Sequence, residues 1–153
     1  MLRTSFAVLY IILTALLIGF IVKAAGSRSK MAGPVIKVIF AGAMTALFYA
    51  LYLLAAGYGR QPACFLLGMY YLSIGWLTYW LTDYVMEYTE VRLVTRLPRV
   101  ILFVMVLLDS ISILVNNFTG HMFSMIQLYD GSNGQYYWTS QPHGWMSIHL
   151  ALC

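Results

Sequence analysis

The chain has 153 residues, of which 61% are hydrophobic and only 9% charged, with a mean hydropathy of +0.79. A soluble domain is about half apolar and roughly a quarter charged, so this chain cannot cover its surface in water and lipid is its expected solvent. The net charge of +4 does not point to nucleic acid, because the nine Lys and Arg residues are scattered at the ends of apolar runs and form no patch or stripe.

A membrane-crossing helix needs about 20 apolar residues. The chain divides into four such runs and the start of a fifth. The expected fold is an all-α membrane protein, a single transmembrane helix bundle over residues 1–153. Spans are predicted at about 6–23, 35–58, 63–85, 99–118 and, in part, 144–153, with an outer loop at 119–143.

The first run resembles a signal-peptide core only superficially. Its positive flank, Lys23, Arg28 and Lys30, follows it, Arg3 alone precedes it, and no small-residue cleavage site comes after. It is read as a retained helix. Pro34 marks the start of the second run, where a helix tolerates proline. Along that run Gly42, Ala46 and Ala50 recur every four residues, a ridge that lets a neighbouring helix come close.

The third run is dense in aromatics, with Tyr70, Tyr71, Trp76, Tyr79, Trp80 and Tyr84. Asp83, Glu87 and Glu90 share one face at its end. The loop beyond carries Arg92, Arg96 and Arg99 around Pro98. Ion pairing of Asp83 and Glu87 with Arg92 and Arg96 is expected to fix that loop.

Asp109 lies about ten residues into the fourth run, near the expected midplane. A charge there costs at least ~2.5 kcal/mol, so it should face the protein interior. Ser112 and Asn116 follow on the same face, and Thr119, Gly120 and His121 continue the polar stripe into the loop. The stripe reads either as a ligand pocket or proton-sensitive site open to the outside, or as hydrogen bonding that holds the bundle together.

Within the outer loop, residues 122–129 and 135–139 are β-prone and flank Asp130-Gly131-Ser132-Asn133-Gly134, which predicts a hairpin. An isolated hairpin is marginal in water, so it is expected to rest on the helix ends as a lid. Phe118, Tyr136, Tyr137, Trp138 and Trp145 suit the headgroup zone. The final run, 144–153, is too short to span a bilayer, so the sequence is expected to be a fragment or a truncated product.

Topology follows from the basic residues. With the N-terminus outside, the inner loops carry Lys23, Arg28, Lys30, Arg92, Arg96 and Arg99, and the outer face holds only Arg3 and Arg60. His121, His143 and His149 then lie on or near the outer face, at spacings that match no metal motif. No metal and no cofactor is expected. Cys64 and Cys153 are too few for a disulfide framework. A bridge between them and two thiols packed as small apolar groups both fit the sequence. No catalytic motif is present.

The run Leu107-Leu108-Asp109-Ser110-Ile111-Ser112-Ile113-Leu114-Val115-Asn116-Asn117-Phe118-Thr119-Gly120-His121-Met122-Phe123 carries a specific likeness. So do Tyr136-Tyr137-Trp138, Pro142 and Ile148-His149-Leu150-Ala151-Leu152-Cys153. These resemble the seven-transmembrane N-terminal sensor region of bacterial histidine kinases and diguanylate cyclase (GGDEF) proteins. In that family the fourth helix holds an Asp and, near its end, an Asn. A Gly-His-x-Phe run opens the outer loop, and the fifth helix begins with a His. Asp109, Asn116, Gly120, His121, Phe123 and His149 match those positions.

The resemblance implies a multi-pass protein of the bacterial plasma membrane that reads a small extracytoplasmic ligand and relays it to a cytoplasmic GGDEF or kinase domain, as a homodimer. The bilayer would be its other partner, and no nucleic acid is implied. Asp109, Ser112, Asn116, His121, Trp138 and His149 are the sensing candidates. The chain departs from the pattern in lacking about two and a half helices and any output domain, so no catalytic residue carries over. The alternative class is a small transporter or permease-like subunit. Such folds show internal repeats and broken helices, and here no Pro lies within a span and the runs share no pattern. A plain membrane anchor without a ligand is the third reading.

Overall fold

The computed structural model describes residues 2–89, 97–131 and 134–153. In chain order they form helices α1 (Leu2–Ala25), α2 (Ala32–Ala55), α3 (Arg60–Tyr88) and α4 (Leu97–Thr119), strands β1 (Phe123–Asp130) and β2 (Gln135–Pro142), and helix α5 (Gly144–Leu152). The molecule is mostly helical with one two-stranded sheet. Four helices, α1 to α4, are long and apolar enough to cross a membrane, with mean hydropathy from 1.3 in α3 to 2.6 in α1.

Local sequence explains the boundaries. Pro34, Pro62 and Pro98 each fall in the first turn of a helix, where the N–H they lack has no partner to lose. Ser27 Oγ accepts from the Ser29 N–H and Ser29 Oγ from the Met31 N–H, both at 3.2 Å, so two serine turns feed α2. The second helix lies three residues earlier than the predicted 35–58. It ends at Ala55 because the chain turns at Gly57, with the Tyr58 N–H bonding back to the Ala55 carbonyl at 2.9 Å. The Arg3 guanidinium lies against Gly57, where a Cβ would come within 2.6 Å of it.

Consecutive helices pack against each other, α1 on α2, α2 on α3 and α3 on α4. The ridge expected on α2 is a packing face: Ala46 and Ala50 are buried together with Ala41 and Ala43, and Gly42 faces Leu17. Glycine also sets the α3–α4 contact. A Cβ on Gly68 would meet Ile113 at 3.6 Å, and one on Gly75, two turns along, would meet Asp109 Oδ2 at 3.7 Å and Val106 at 3.8 Å.

Large side chains point away from the bundle along α1 and α4, among them Leu9, Leu16 and Phe20, and Leu108 and Ile111. An apolar exterior on this scale far exceeds the few hundred Å² patches of soluble monomers. The hydroxyls of Thr14, Thr45, Ser73, Thr78, Thr82 and Ser110 donate to the carbonyl four residues earlier, at 2.7–3.1 Å. Those groups are therefore satisfied within their own helices.

The core lies at one end of the bundle, under the hairpin. Tyr52 and Ala56, Ala63 and Leu67, and Ile113 meet Met122, Phe123 and Met125 of the hairpin and Met146 of α5. The antiparallel register runs from Phe123 opposite Pro142 to Asp130 opposite Gln135. The hairpin thus forms as expected, with β2 running three residues past the predicted 139. Phe123 and Met125, two apart and so on one face, are inserted among the helix ends and 1% and 6% exposed. That burial supplies the support a lone hairpin lacks.

Candidate functional site

Gly120 terminates α4. Its φ of +66° is the left-handed conformation natural to glycine at a helix end, and its N–H caps the Asn116 carbonyl at 2.9 Å. The reversal brings residues 122 and 123 back alongside the last turn of α4, within reach of the Asn116 side chain. Its Oδ1 accepts from the Met122 N–H at 2.7 Å and the Phe123 N–H at 3.2 Å, and its Nδ2 donates to the Phe123 carbonyl at 3.0 Å. Asn116 is 2% exposed, and both polar atoms of its side chain are engaged, the oxygen twice. It ties the root of the hairpin to α4.

The other end of the hairpin is tied as firmly. The His143 N–H donates to the Met122 carbonyl at 2.9 Å, immediately before α5 begins. On the outward edge of β2, the Trp138 N–H donates to the Ala56 carbonyl at 2.8 Å, and the Tyr52 hydroxyl to the Trp138 carbonyl at 3.3 Å. These bonds use an orphan carbonyl at the end of α2 and a strand edge that would otherwise be unpaired.

From His143, α5 runs alongside α3 and α4, burying Met146 and His149 against them while most of its other residues stay exposed. His149 is fully buried, and its Nδ1 shares a 2.6 Å hydrogen bond with Asp109 Oδ2, with the Asp109 side chain 9% exposed. The Tyr71 ring meets the imidazole edge-on, centroids 5.6 Å apart. On the far side of the ring, Nε2 faces the Cys153 sulfur at 3.7 Å. Asp109 lies opposite Gly75, which falls at the middle of α3. Glycine there leaves room for a carboxylate between the helices. The imidazole thus contacts a carboxyl group through one ring nitrogen and the exposed Cys153 thiol through the other.

Ser112 occupies the level between. Its Oγ is 2.7 Å from His121 Nε2, and Thr119 Oγ1 contacts His121 Nδ1, so hydroxyls meet both ring nitrogens. The polar stripe is thus three struts. Asp109 joins α4 to α5, Ser112 holds the turn after α4, and Asn116 holds the hairpin root. Asp109, Asn116, His121 and His149 are brought into this one junction as sensing candidates. Trp138 stands apart from it, half-buried against the core and docked through its backbone.

At Asp109 itself the buried His149 lies against the carboxyl group, whose side chain is nearly enclosed. A groove of about 640 Å³ lies beside the hairpin root, between the first turns of α3, the end of α4 and the start of β1. Of the stripe, Asn116, Thr119 and Gly120 border it, and Asp109 and Ser112 do not. Arg60, Cys64 and Phe65, on its α3 wall, were not among the predicted site residues, and only their place at a span boundary marked them.

At the opposite end of the bundle Asp83 is ion-paired, and its partner is Arg99, one of the three arginines around Pro98. Asp83 Oδ1 meets Arg99 Nη2 at 2.6 Å, a charge contact without the alignment of a hydrogen bond. Arg92 and Arg96 lie outside the described residues. Glu87 is exposed and has no ion pair among the described residues. Lys37 sits over the Trp80 ring, 4.5 Å from its centroid.

Cys64 and Cys153 are free thiols, not a bridge. Among the described residues no group of three or more His, Cys, Asp or Glu side chains is arranged to hold a metal ion. No family model matches the chain, and neither a curated protein nor a solved structure matches it.

Proposed function

We propose that this chain is a membrane-embedded signal-input module of a bacterial plasma membrane protein, with its N-terminus and hairpin outside. On this reading it perceives an extracytoplasmic cue and relays it to a cytoplasmic GGDEF or histidine kinase domain, as a homodimer.

One observation carries the proposal. The residues behind the resemblance are not scattered: Asp109 bonds His149, Asn116 bonds Phe123, Gly120 makes the reversal between them, and His121 bonds Ser112. Together they connect an exposed hairpin to a buried polar pair at mid-depth. A cue that shifts the hairpin moves His143 and hence α5, and the Asp109–His149 bond transmits that movement to α4. For a relay of this kind the bundle needs two packings to which the cue binds unequally.

The test is the output of the full-length protein in its own membrane, with the coding sequence beyond Cys153 read to identify the output domain. Asp109→Asn or His121→Ala is expected to change the response to the cue while leaving membrane insertion intact. An unchanged response in both variants sinks the proposal.

A further inference from the structure

We infer that the groove beside the hairpin root binds a small amphipathic anion, a carboxylate or phosphate monoanion with an apolar tail. The inference deepens the sensor reading by giving the cue a chemical class, although binding can be tested apart from signalling.

The groove's volume of about 640 Å³ falls within the roughly 300–1,000 Å³ of small-molecule sites. Its charge is one-sided. Arg60 is the single charged residue lining it, and no Asp or Glu is present among the lining residues. Arg60 has no ion pair among the described residues, so its guanidinium offers unused donors in the planar fork that fits carboxylate and phosphate. The start of α3 adds to this field. No side chain caps it, which leaves the positive end of the helix dipole beside Arg60.

The same groove has an apolar side. Phe118 at its rim is 92% exposed and Phe65 is 49% exposed, so two aromatic faces are open for an alkyl chain to lie against. The carbonyls at the end of α4, which would repel an anion, are partly answered already: the Gly120 N–H and the Thr119 hydroxyl donate to those of Asn116 and Val115. Asn116 forms part of the floor, so an occupant presses on the side chain that anchors the hairpin.

Cys64 lies in the wall and reports occupancy. In the Cys153→Ser protein in neutral detergent, octanoate at ten times its dissociation constant should slow alkylation of Cys64 by N-ethylmaleimide roughly tenfold, by simple mass action. Octanol at the same concentration should not slow it. Arg60→Gln should abolish the protection and Arg60→Lys retain part of it. Titration calorimetry of octanoate against wild type and Arg60→Gln gives the same contrast without relying on thiol reactivity. Equal protection by octanol, or full protection in Arg60→Gln, overturns the inference.

Vesicles separate the two sources of such an anion. Protection in phosphatidylglycerol but not phosphatidylcholine vesicles, without octanoate, assigns the groove to a lipid headgroup. Protection by octanoate alone assigns it to a free anion, and protection by neither overturns the site. Binding without any change in output would leave the site standing and remove the sensor reading. An altered output in Asp109→Asn with no octanoate binding would do the reverse.

Discussion

Asp109 and His149, 40 residues apart in the chain, share a 2.6 Å hydrogen bond beside the middle of α3, with the histidine wholly buried. This contact joins a helix long enough to span a membrane to one that starts beneath the hairpin. Breaking a buried pair by removing one partner typically costs about 3–5 kcal/mol, whereas replacing both by apolar groups is often neutral or stabilising. His149→Ala, which strands a carboxylate among apolar groups, should lower thermal stability in detergent more than Asp109→Asn, which leaves a neutral amide. The double change Asp109→Leu with His149→Leu should recover most of the loss. If the double variant is as unstable as His149→Ala, the pair is not the source of the effect.

Asn116 should be nearly as sensitive, through a different mechanism. Asn116→Ala leaves the Met122 and Phe123 N–H groups buried without acceptors, each worth roughly 1–3 kcal/mol. The loss is local, so limited proteolysis is the sharper measurement. The hairpin of Asn116→Ala should be cut much faster than wild type while α1 to α3 stay protected. Asn116→Asp should fall between, because its carboxylate still accepts both N–H groups but cannot donate to the Phe123 carbonyl.

The proposed orientation has its own test. In a Cys64→Ala and Cys153→Ser background in intact cells, a membrane-impermeant maleimide should label Gly131→Cys in the hairpin turn. It should label Arg28→Cys, between α1 and α2, only after the membrane is opened. The reverse pattern places the N-terminus inside, and labelling of both in intact cells argues against insertion of the bundle.

Much of the architecture was readable because its signals are local and redundant. Four apolar runs bounded by Pro34, Pro62 and Pro98 define four helices, and the Gly- and Asn-rich turn before Gln135 defines a hairpin. The error on α2 came from counting Tyr58 as part of an apolar run when Gly57 had already turned the chain. Asp109 and His149 were each singled out, yet nothing in sequence order says that residue 149 returns to the level of residue 109. That depends on the hairpin's length and on Met122 receiving the His143 N–H, a long-range fact. That Asp83 meets Arg99 was hidden for a similar reason, since spacing along a loop does not determine which guanidinium is brought back to the helix. The groove left no pattern at all, because its walls come from three elements and its chemistry rests on one arginine at a helix start.

The bond from the Trp138 N–H to the Ala56 carbonyl has a consequence for genetics. Donor and acceptor are both main-chain atoms, so every amino acid except proline supplies them. A scan of alanine substitutions would skip position 56, already alanine, and show only packing effects at 138, leaving the attachment of the hairpin to α2 invisible. Only Trp138→Pro deletes the donor, and comparing it with Trp138→Ala separates the anchoring of the strand from the bulk of the indole. Sequences that preserve this attachment need share no residue at either position.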